Sequence, residues 1–176
     1  MELRCGELTL RPVTHDDLAE VARTWKFGKG EIPLEEAAQA IDWMQANHRQ
    51  NRPGKIVHAC FAVLDGDNNR IIGWCGLDSR NGRQNNLFYM IDKDHRRLGF
   101  ATKCAQAVLN YGFLTMGLDR IDGECALDNL GSQKVLEKLG MTKIQSAEQS
   151  LHYYMTHDGY IATHGSEQMP GTRRPH

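Results

Sequence analysis

The sequence predicts a mixed α/β fold, with one central sheet and helices on its faces. Three observations predict it. The hydrophobic pattern switches between period two and period 3.6 in the order β-α-α-β-β-β-α-β-α-β-β, about seven strands and about four helices. The run Leu87-Phe88-Tyr89-Met90-Ile91 is continuously apolar, as in a central strand buried on both faces. Ala101, Cys104, Ala105, Val108, Leu109, Phe113 and Met116 recur at spacings of three and four, which marks a long helix lying on that sheet. A chain of 176 residues suits one domain, expected over residues 1–160, and it shows no internal repeat or linker.

Residues 8–12 alternate as a short strand ended by Pro12. Thr14 then opens a helix as N-cap, with Asp16 and Asp17 in the first turn where they favour the helix dipole. Leu18, Val21, Ala22 and Trp25 continue it, and glycines 28 and 30 break it. A second helix follows Pro33, a residue suited to the first helical position. Residues 56–64 and 71–77 read as a hairpin across the turn at 65–69. A polar loop, 78–86, leads to the central strand. Gly117 ends the long helix as a left-handed cap. Residues 120–127 form a strand, and Asp128-Asn129 starts a short helix that Gly140 terminates. Residues 141–144 and 151–156 are the last strands. From Gly159 no period remains, so a tail over 161–176 without structure is expected. The His- and Tyr-rich strand 151–155 is a candidate edge for a second copy, so monomer and homodimer are both open.

Composition narrows the function. Hydrophobic residues at 40% and charged residues at 24% describe a globular protein, and a formal net charge of -1 offers no electrostatic case for nucleic acid or an anionic membrane. No apolar run approaches the ~20 residues of a membrane span, and the N-terminus lacks the apolar core of a signal peptide. An intracellular, cytoplasmic protein is expected. Cys5, Cys60, Cys75, Cys104 and Cys125 are widely spaced with no C-x-x-C pair, so no disulfide framework or metal site is expected. Four of them sit in apolar segments as small buried hydrophobes.

Chemistry concentrates where the central strand ends. After Ile91-Asp92 come Lys93, Asp94, His95, Arg96 and Arg97, then Leu98-Gly99-Phe100-Ala101-Thr102 at the start of the long helix. A strand, a glycine loop and a helix N-terminus aim unpaired backbone N–H groups and partial positive charge at one point, a natural seat for a pyrophosphate. Gly99 allows close backbone approach, Ala101 is small, and Thr102 adds a hydroxyl. Lys93, Arg96, Arg97 and Lys103 supply charge. The same residues also suit an ordinary turn on a solvated basic loop. There is no G-x-x-x-x-G-K-[ST] and no G-x-G-x-x-G after a strand.

Arg96-x-x-Gly99-x-Ala101 resembles the [QR]-x-x-G-x-[GA] signature of the GNAT family of N-acetyltransferases. Asn129-x-x-Ser132, followed by Glu137-Lys138-Leu139-Gly140-Met141, resembles the N-x-x-S…E-K-x-G-F block of the branch that includes the ribosomal-protein N-terminal acetyltransferases. Leu8-Thr9-Leu10-Arg11-Pro12 with Asp16-Asp17 resembles that branch's opening. The resemblance covers roughly residues 7–157. It implies a mostly antiparallel sheet whose middle strands, 87–91 and 121–126, splay apart. It also implies an acyltransferase that moves the acetyl group of acetyl-CoA to an amine, without a metal.

The resemblance further implies roles for residues. The amides of Arg97, Leu98, Gly99, Phe100, Ala101 and Thr102 would hold the pyrophosphate, with Arg96 at the head of the loop. The amide of Met90 or Ile91 would polarise the thioester carbonyl. Asn129 would bond the pantetheine arm, a role compatible with capping its own helix. Ser132 would lie near the sulfur and protonate the leaving thiolate. Many relatives use a Tyr seven residues after the Asn for that step, and this chain has Leu136 there, which leaves Ser132 or a water as the proton donor. The base that deprotonates the amine is open among Asp78, Glu148 and His152. Trp25, Phe27 and Glu31 lie where the family shapes its acceptor pocket, although Trp25 in the core and Glu31 in solvent is the favoured reading. A module that binds acyl-CoA without turnover is the rival reading.

Overall fold

The computed structural model describes residues 1–26, 30–66, 70–80, 84–144 and 150–165. A hairpin opens the chain, β1 (Leu3–Cys5) and β2 (Leu8–Arg11), and turns at Gly6, whose φ of 67° is left-handed. Two helices follow, α1 (Leu18–Thr24) and α2 (Leu34–His48). Then come three strands, β3 (His58–Asp65), β4 (Ile71–Asp78) and β5 (Asn86–Ile91). Helix α3 (Phe100–Asn110) continues into a π-helical turn, Tyr111–Thr115, before β6 (Arg120–Ala126). The chain ends with α4 (Leu130–Lys138), β7 (Thr142–Ile144), β8 (Ser150–Thr156) and α5 (His157–His164).

The strands form one sheet in the order β1-β2-β3-β4-β5-β6-β8-β7. Every neighbouring pair is antiparallel except β5 and β6. That parallel pair is joined only at Asn86↔Asp122 and Leu87↔Gly123, so the two strands diverge beyond Leu87. The expected mixed, mostly antiparallel fold is present, with its middle strands splayed.

Period-two alternation sorts the strand side chains onto two cores. On one face Ala59, Phe61, Val63, Ile72, Cys75 and Leu77 pack with α3 through Cys104, Ala105, Val108 and Leu109. On the other, Cys60, Ala62, Leu64, Ile71 and Trp74 pack with Val21, Ala22, Ala37, Ile41 and Met44 of α1 and α2. Full burial of each large aliphatic or aromatic side chain contributes about 1.5–3 kcal/mol. Near the entry to α1, Arg11 grips Asp17 with both guanidinium nitrogens at 2.7 Å, and the Thr14 amide donates to the same carboxylate at 2.9 Å.

Several elements differ from the sequence expectation. The sheet has eight strands, because β1 is a three-residue strand too short to show alternation. Thr14 opens a 3₁₀ turn, His15–Asp17, ahead of α1, and Pro33 sits at the N-cap of α2 rather than inside it. The strand expected at 56–64 starts at His58. Strand β8 is paired on both sides, with β6 and β7, so it offers no edge to a second copy; β7 is the edge. The tail expected from Gly159 is helical through His164. Thr156 caps α5 by accepting from the Gly159 amide at 3.2 Å, and the one buried residue of the helix, Tyr160, stacks on Phe113. One buried residue in a helix of eight leaves no period to read. Among the described residues, no helix is long and apolar enough to cross a membrane.

Candidate functional site

The α3 N-terminus is built as the sequence suggests. Gly99 is its N-cap, at φ 78°, and brings no side chain to cap the helix. The amides of Phe100, Ala101 and Thr102 precede the first helical bond, which Lys103 N–H makes to the Gly99 carbonyl at 3.1 Å. A Cβ placed on Gly99 would meet nothing within 4 Å, so the space before the loop is open. Arg97 is also left-handed, at φ 64°, a conformation that a non-glycine residue adopts at some cost in strain.

This loop borders a cavity of about 550 Å³. Tyr89, Met90 and Ile91 line it from β5, and His95, Arg96, Arg97, Gly99, Phe100, Ala101 and Thr102 from the loop and α3. Asn129, Gly131, Ser132, Lys134, Val135 and Lys138 line it from α4. Leu98, 56% exposed, is not part of the lining. Of the cations expected to supply charge, only Arg96 and Arg97 face the cavity. Lys103 pairs with Glu7 at 2.8 Å, and Lys93 is absent from the lining. Arg96 turns its Nε back to the Ile91 carbonyl at 3.1 Å.

A second cavity, about 470 Å³, opens where β5 and β6 part. Tyr89, Asn129 and Ser132 line both cavities, so the two adjoin there. Asn129 holds the α4 N-terminus by accepting from the Ser132 amide at 3.0 Å. The Tyr89 hydroxyl donates to the Ser132 carbonyl at 3.2 Å, and burial pushes its phenol up to about 12.

Backbone alternation decides which amide faces this gap. The Asp92 amide bonds the Ile72 carbonyl across β4 at 2.8 Å, and the Met90 carbonyl also lies against β4, beside Gly73. In a strand the polar groups alternate sides, so those of Tyr89 and Ile91 face the gap toward β6. Of the two amides singled out in the sequence, the geometry therefore favours Ile91; that of Met90 is turned toward β4.

The base candidates separate in space. Asp78 is buried at the end of β4 and does not line either cavity. Burial raises its carboxyl, but the Arg80 guanidinium, at 2.7 and 3.1 Å, outweighs that and holds it below the ordinary value. His58 Nδ1 approaches the same carboxylate at 3.4 Å. Glu148 and Phe27 lie outside the described residues. His152 lies on β8 directly opposite Glu124 of β6, with Nε2 3.9 Å from the carboxylate and 3.2 Å from the Ser150 hydroxyl. Glu124 and Ser150 both line the second cavity. Trp25 packs edge-on against Trp74 at 5.6 Å, on the core side as the favoured reading has it.

Glu124, Tyr89, Lys134 and Lys138 were given no site role from the sequence. A signal for Glu124 exists: Ile121, Gly123 and Cys125 alternate as the buried face of β6, leaving Glu124 the opposite face. Cys125 lines the second cavity too, but burial raises its thiol above the ordinary value, which disfavours the nucleophilic thiolate.

A splayed sheet, a glycine-capped helix N-terminus on a cationic cavity and a second cavity in the splay suit an acyltransferase. A family model described as an acetyltransferase (GNAT) domain matches residues 7–142, and the chain belongs to that family. It is 32% identical over 130 residues to the uncharacterized N-acetyltransferase YjdG of Bacillus subtilis (strain 168), covering 72% of this chain and 77% of that one. It is 27% identical over 144 residues to the uncharacterized N-acetyltransferase p20 of Bacillus licheniformis, covering 77% and 79%. Among solved structures, the ribosomal-protein-S5-alanine acetyltransferase of Vibrio fischeri superposes with a TM-score of 0.76 at 18% identity, over 91% of this chain and 98% of that one. RimL, a ribosomal L7/L12 alpha-N-protein acetyltransferase in complex with coenzyme A, superposes with a TM-score of 0.70 at 12% identity, over 90% and 99%. Acetyl transfer from acetyl-CoA is the general reaction of the family.

Proposed function

We propose that this chain moves the acetyl group of acetyl-CoA to a primary amine by direct attack in a ternary complex. One observation carries the reading: a cavity with cations and free helix amides meets a cavity with a carboxylate, and they meet at Tyr89, Asn129 and Ser132. The donor set fits acetyl-CoA. Amides of Phe100 to Thr102 and the Arg97 guanidinium suit a pyrophosphate, and Asn129, which lines both cavities, would bond the pantetheine arm.

The Ile91 amide faces the gap and donates to the thioester oxygen, where negative charge develops during attack; donors of this kind are worth about 3–4 kcal/mol. Glu124 serves better than Asp78 as the acceptor of the amine's proton, because it lines the cleft and Asp78 lines neither cavity. His152 and Ser150 flank Glu124 and can pass the proton on. The amine nitrogen bonds to the acetyl carbon, the C–S bond breaks, and the electron pair leaves on sulfur. The Ser132 hydroxyl gives the thiolate its proton and regains one from water. The shifted thiol of Cys125 argues against an acyl-enzyme step. The acceptor is a protein N-terminus, as the names of the ribosomal-protein enzymes suggest, or a small amine.

Incubation with acetyl-CoA and a panel of N-terminal peptides and small amines, with free thiol measured, tests the proposal. Thiol release with at least one acceptor is expected. Tight acetyl-CoA binding with no release for any of them would make the chain a binding module and overturn it.

A further inference from the structure

The hairpin that opens the chain lies against the start of α3. Strand β1 contacts the helix, Glu7 pairs with Lys103 at 2.8 Å, and a Cβ on Gly6 would stand 3.7 Å from the Lys103 ammonium. This docking brings together two cysteines that are far apart in sequence. Cys5 of β1 is half-buried, Cys104 of α3 is fully buried, and the Cys104 thiol hydrogen-bonds the Cys5 sulfur. Neither side chain lines a cavity or enters the proposed acetyl transfer. Of the five cysteines, Cys5 alone is shifted toward its thiolate. The hydrogen bond from Cys104 lowers it, helped by the Lys103 charge and opposed by burial and the Glu7 carboxylate. The same bond, with burial, keeps Cys104 a thiol. Burial raises Cys60, Cys75 and Cys125 and leaves them inert.

We propose that Cys5 and Cys104 form an oxidant-sensitive dithiol site, which hydroperoxides convert to a disulfide between β1 and α3. The Cys5 thiolate attacks one oxygen of hydrogen peroxide, the O–O bond breaks, and hydroxide leaves. Cys5 is then a sulfenic acid. The Cys104 sulfur attacks the Cys5 sulfur and gives up its proton, and the sulfenic oxygen leaves as water. The two thiols lose two electrons and two protons, and the peroxide is reduced to two waters. Burial sets the order of these steps: half-exposed Cys5 meets the oxidant, and buried Cys104 resolves it. The disulfide closes a loop of about 100 residues and so restricts the unfolded chain strongly. It also fastens the start of α3, just past the Thr102 amide, to the opening hairpin.

Treating the reduced full chain with hydrogen peroxide tests the assignment, followed by alkylation in denaturant, trypsin digestion without reductant and mass spectrometry. Cleavage after Arg4, Arg23, Lys103 and Arg120 puts Cys5 and Cys104 on peptides 5–23 and 104–120, and each other cysteine on a peptide of its own. The expected product is those two peptides joined, two hydrogens lighter than their sum and separated by reductant. In a thermal melt the oxidised protein should gain ~5–10 °C over the reduced one, as closure of so long a loop would give. Cys5→Ala, at a half-exposed position, should abolish both the joined peptide and the gain. A disulfide from Cys5 or Cys104 to Cys75, which lies nearby, or between two chains would overturn the inference. So would oxidation of Cys5 to a sulfinic or sulfonic acid with Cys104 still open to alkylation, or two thiols left unchanged by peroxide.

Discussion

The two halves of the site are made in different ways. The donor half rests on a short contiguous stretch, from Ile91 to Thr102, joined by one face of α4. The acceptor half is assembled from strands distant in sequence: Asn86 to Tyr89 of β5, Glu124 to Ala126 of β6 and Ser150 of β8. The first works through backbone amides and a helix dipole, which any sequence with the right turn provides. The second works through individual side chains placed by strand register. Donor chemistry should therefore be sensitive to backbone geometry, and acceptor chemistry to single functional groups.

The largest expected effect tests the donor half. In Gly99→Glu a side chain must adopt φ 78°, which costs about 1–2 kcal/mol, and its carboxylate enters the open space before the α3 amides. Acetyl-CoA affinity should fall by ~100-fold or more while the melting temperature drops only a few degrees, since ~1 kcal/mol shifts it by about 2–4 °C in a domain of this size. Calorimetry and a thermal melt measure both. Retained affinity would show that backbone approach at Gly99 does not define the donor half.

Next comes the acceptor half. Glu124→Gln keeps the shape and removes the charge. Turnover should fall by ~10²–10³-fold, within the range for a general base, and acetyl-CoA affinity should change little. Asp78→Asn, which disturbs the contacts with Arg80 and His58, should lower stability more than turnover. The opposite ranking would return the base to Asp78. Ser132→Ala straddles both halves and should lower turnover by ~10-fold, measured as kcat with KM for acetyl-CoA nearly constant. A wild-type kcat would pass the thiolate's proton to Tyr89, whose hydroxyl is tied to the Ser132 carbonyl.

The same division explains what could be read without coordinates. The loop from Arg96 to Ala101 and the Asn129–Ser132 turn were legible because each is a local device: a positive φ, a helix start, an N-cap. Long strands and α3 were legible from their periods. For Glu124 the alternation of β6 marks only its face, because its neighbours Phe88 and Ser150 come from other strands and only register brings them to it. The turn of Met90 toward β4 depends on which pairs of β4 and β5 are hydrogen-bonded, a choice that side-chain alternation does not encode. Lys103 read as a phosphate ligand, yet Glu7, 96 residues earlier, takes it. Helix α5 has one buried residue, Tyr160, and β1 three residues, too little pattern for either to be visible.

The smallest expected effect concerns what lies behind the acceptor half. Phe88, which lines the second cavity, stacks on buried His58 at 5.7 Å, and Trp43 tilts against the same ring at 4.8 Å. Among the described residues, His58 Nε2 is buried without a hydrogen-bond partner. Burial, with help from the Arg80 charge, pulls this imidazole below its ordinary value of 6.5, against the opposing pull of Asp78. A histidine kept neutral by the fold takes up its proton more readily in the unfolded chain. Stability contributed this way is present above pH 6.5 and declines as the pH falls from there toward the lower folded value. The slope stays below the one-proton limit of about 1.4 kcal/mol per pH unit. His48 is also shifted down by burial and adds to the same window, so the pH dependence of one residue must be read as a difference. Denaturant melts at pH 7.5 and 5.5 should show His58→Phe, which keeps a ring between Trp43 and Phe88, losing less stability on acidification than the wild type, by up to ~1 kcal/mol. Equal losses would mean that the aromatic wall tolerates a charged His58, and that the acceptor half is no more exposed to acid than the amide-built donor half.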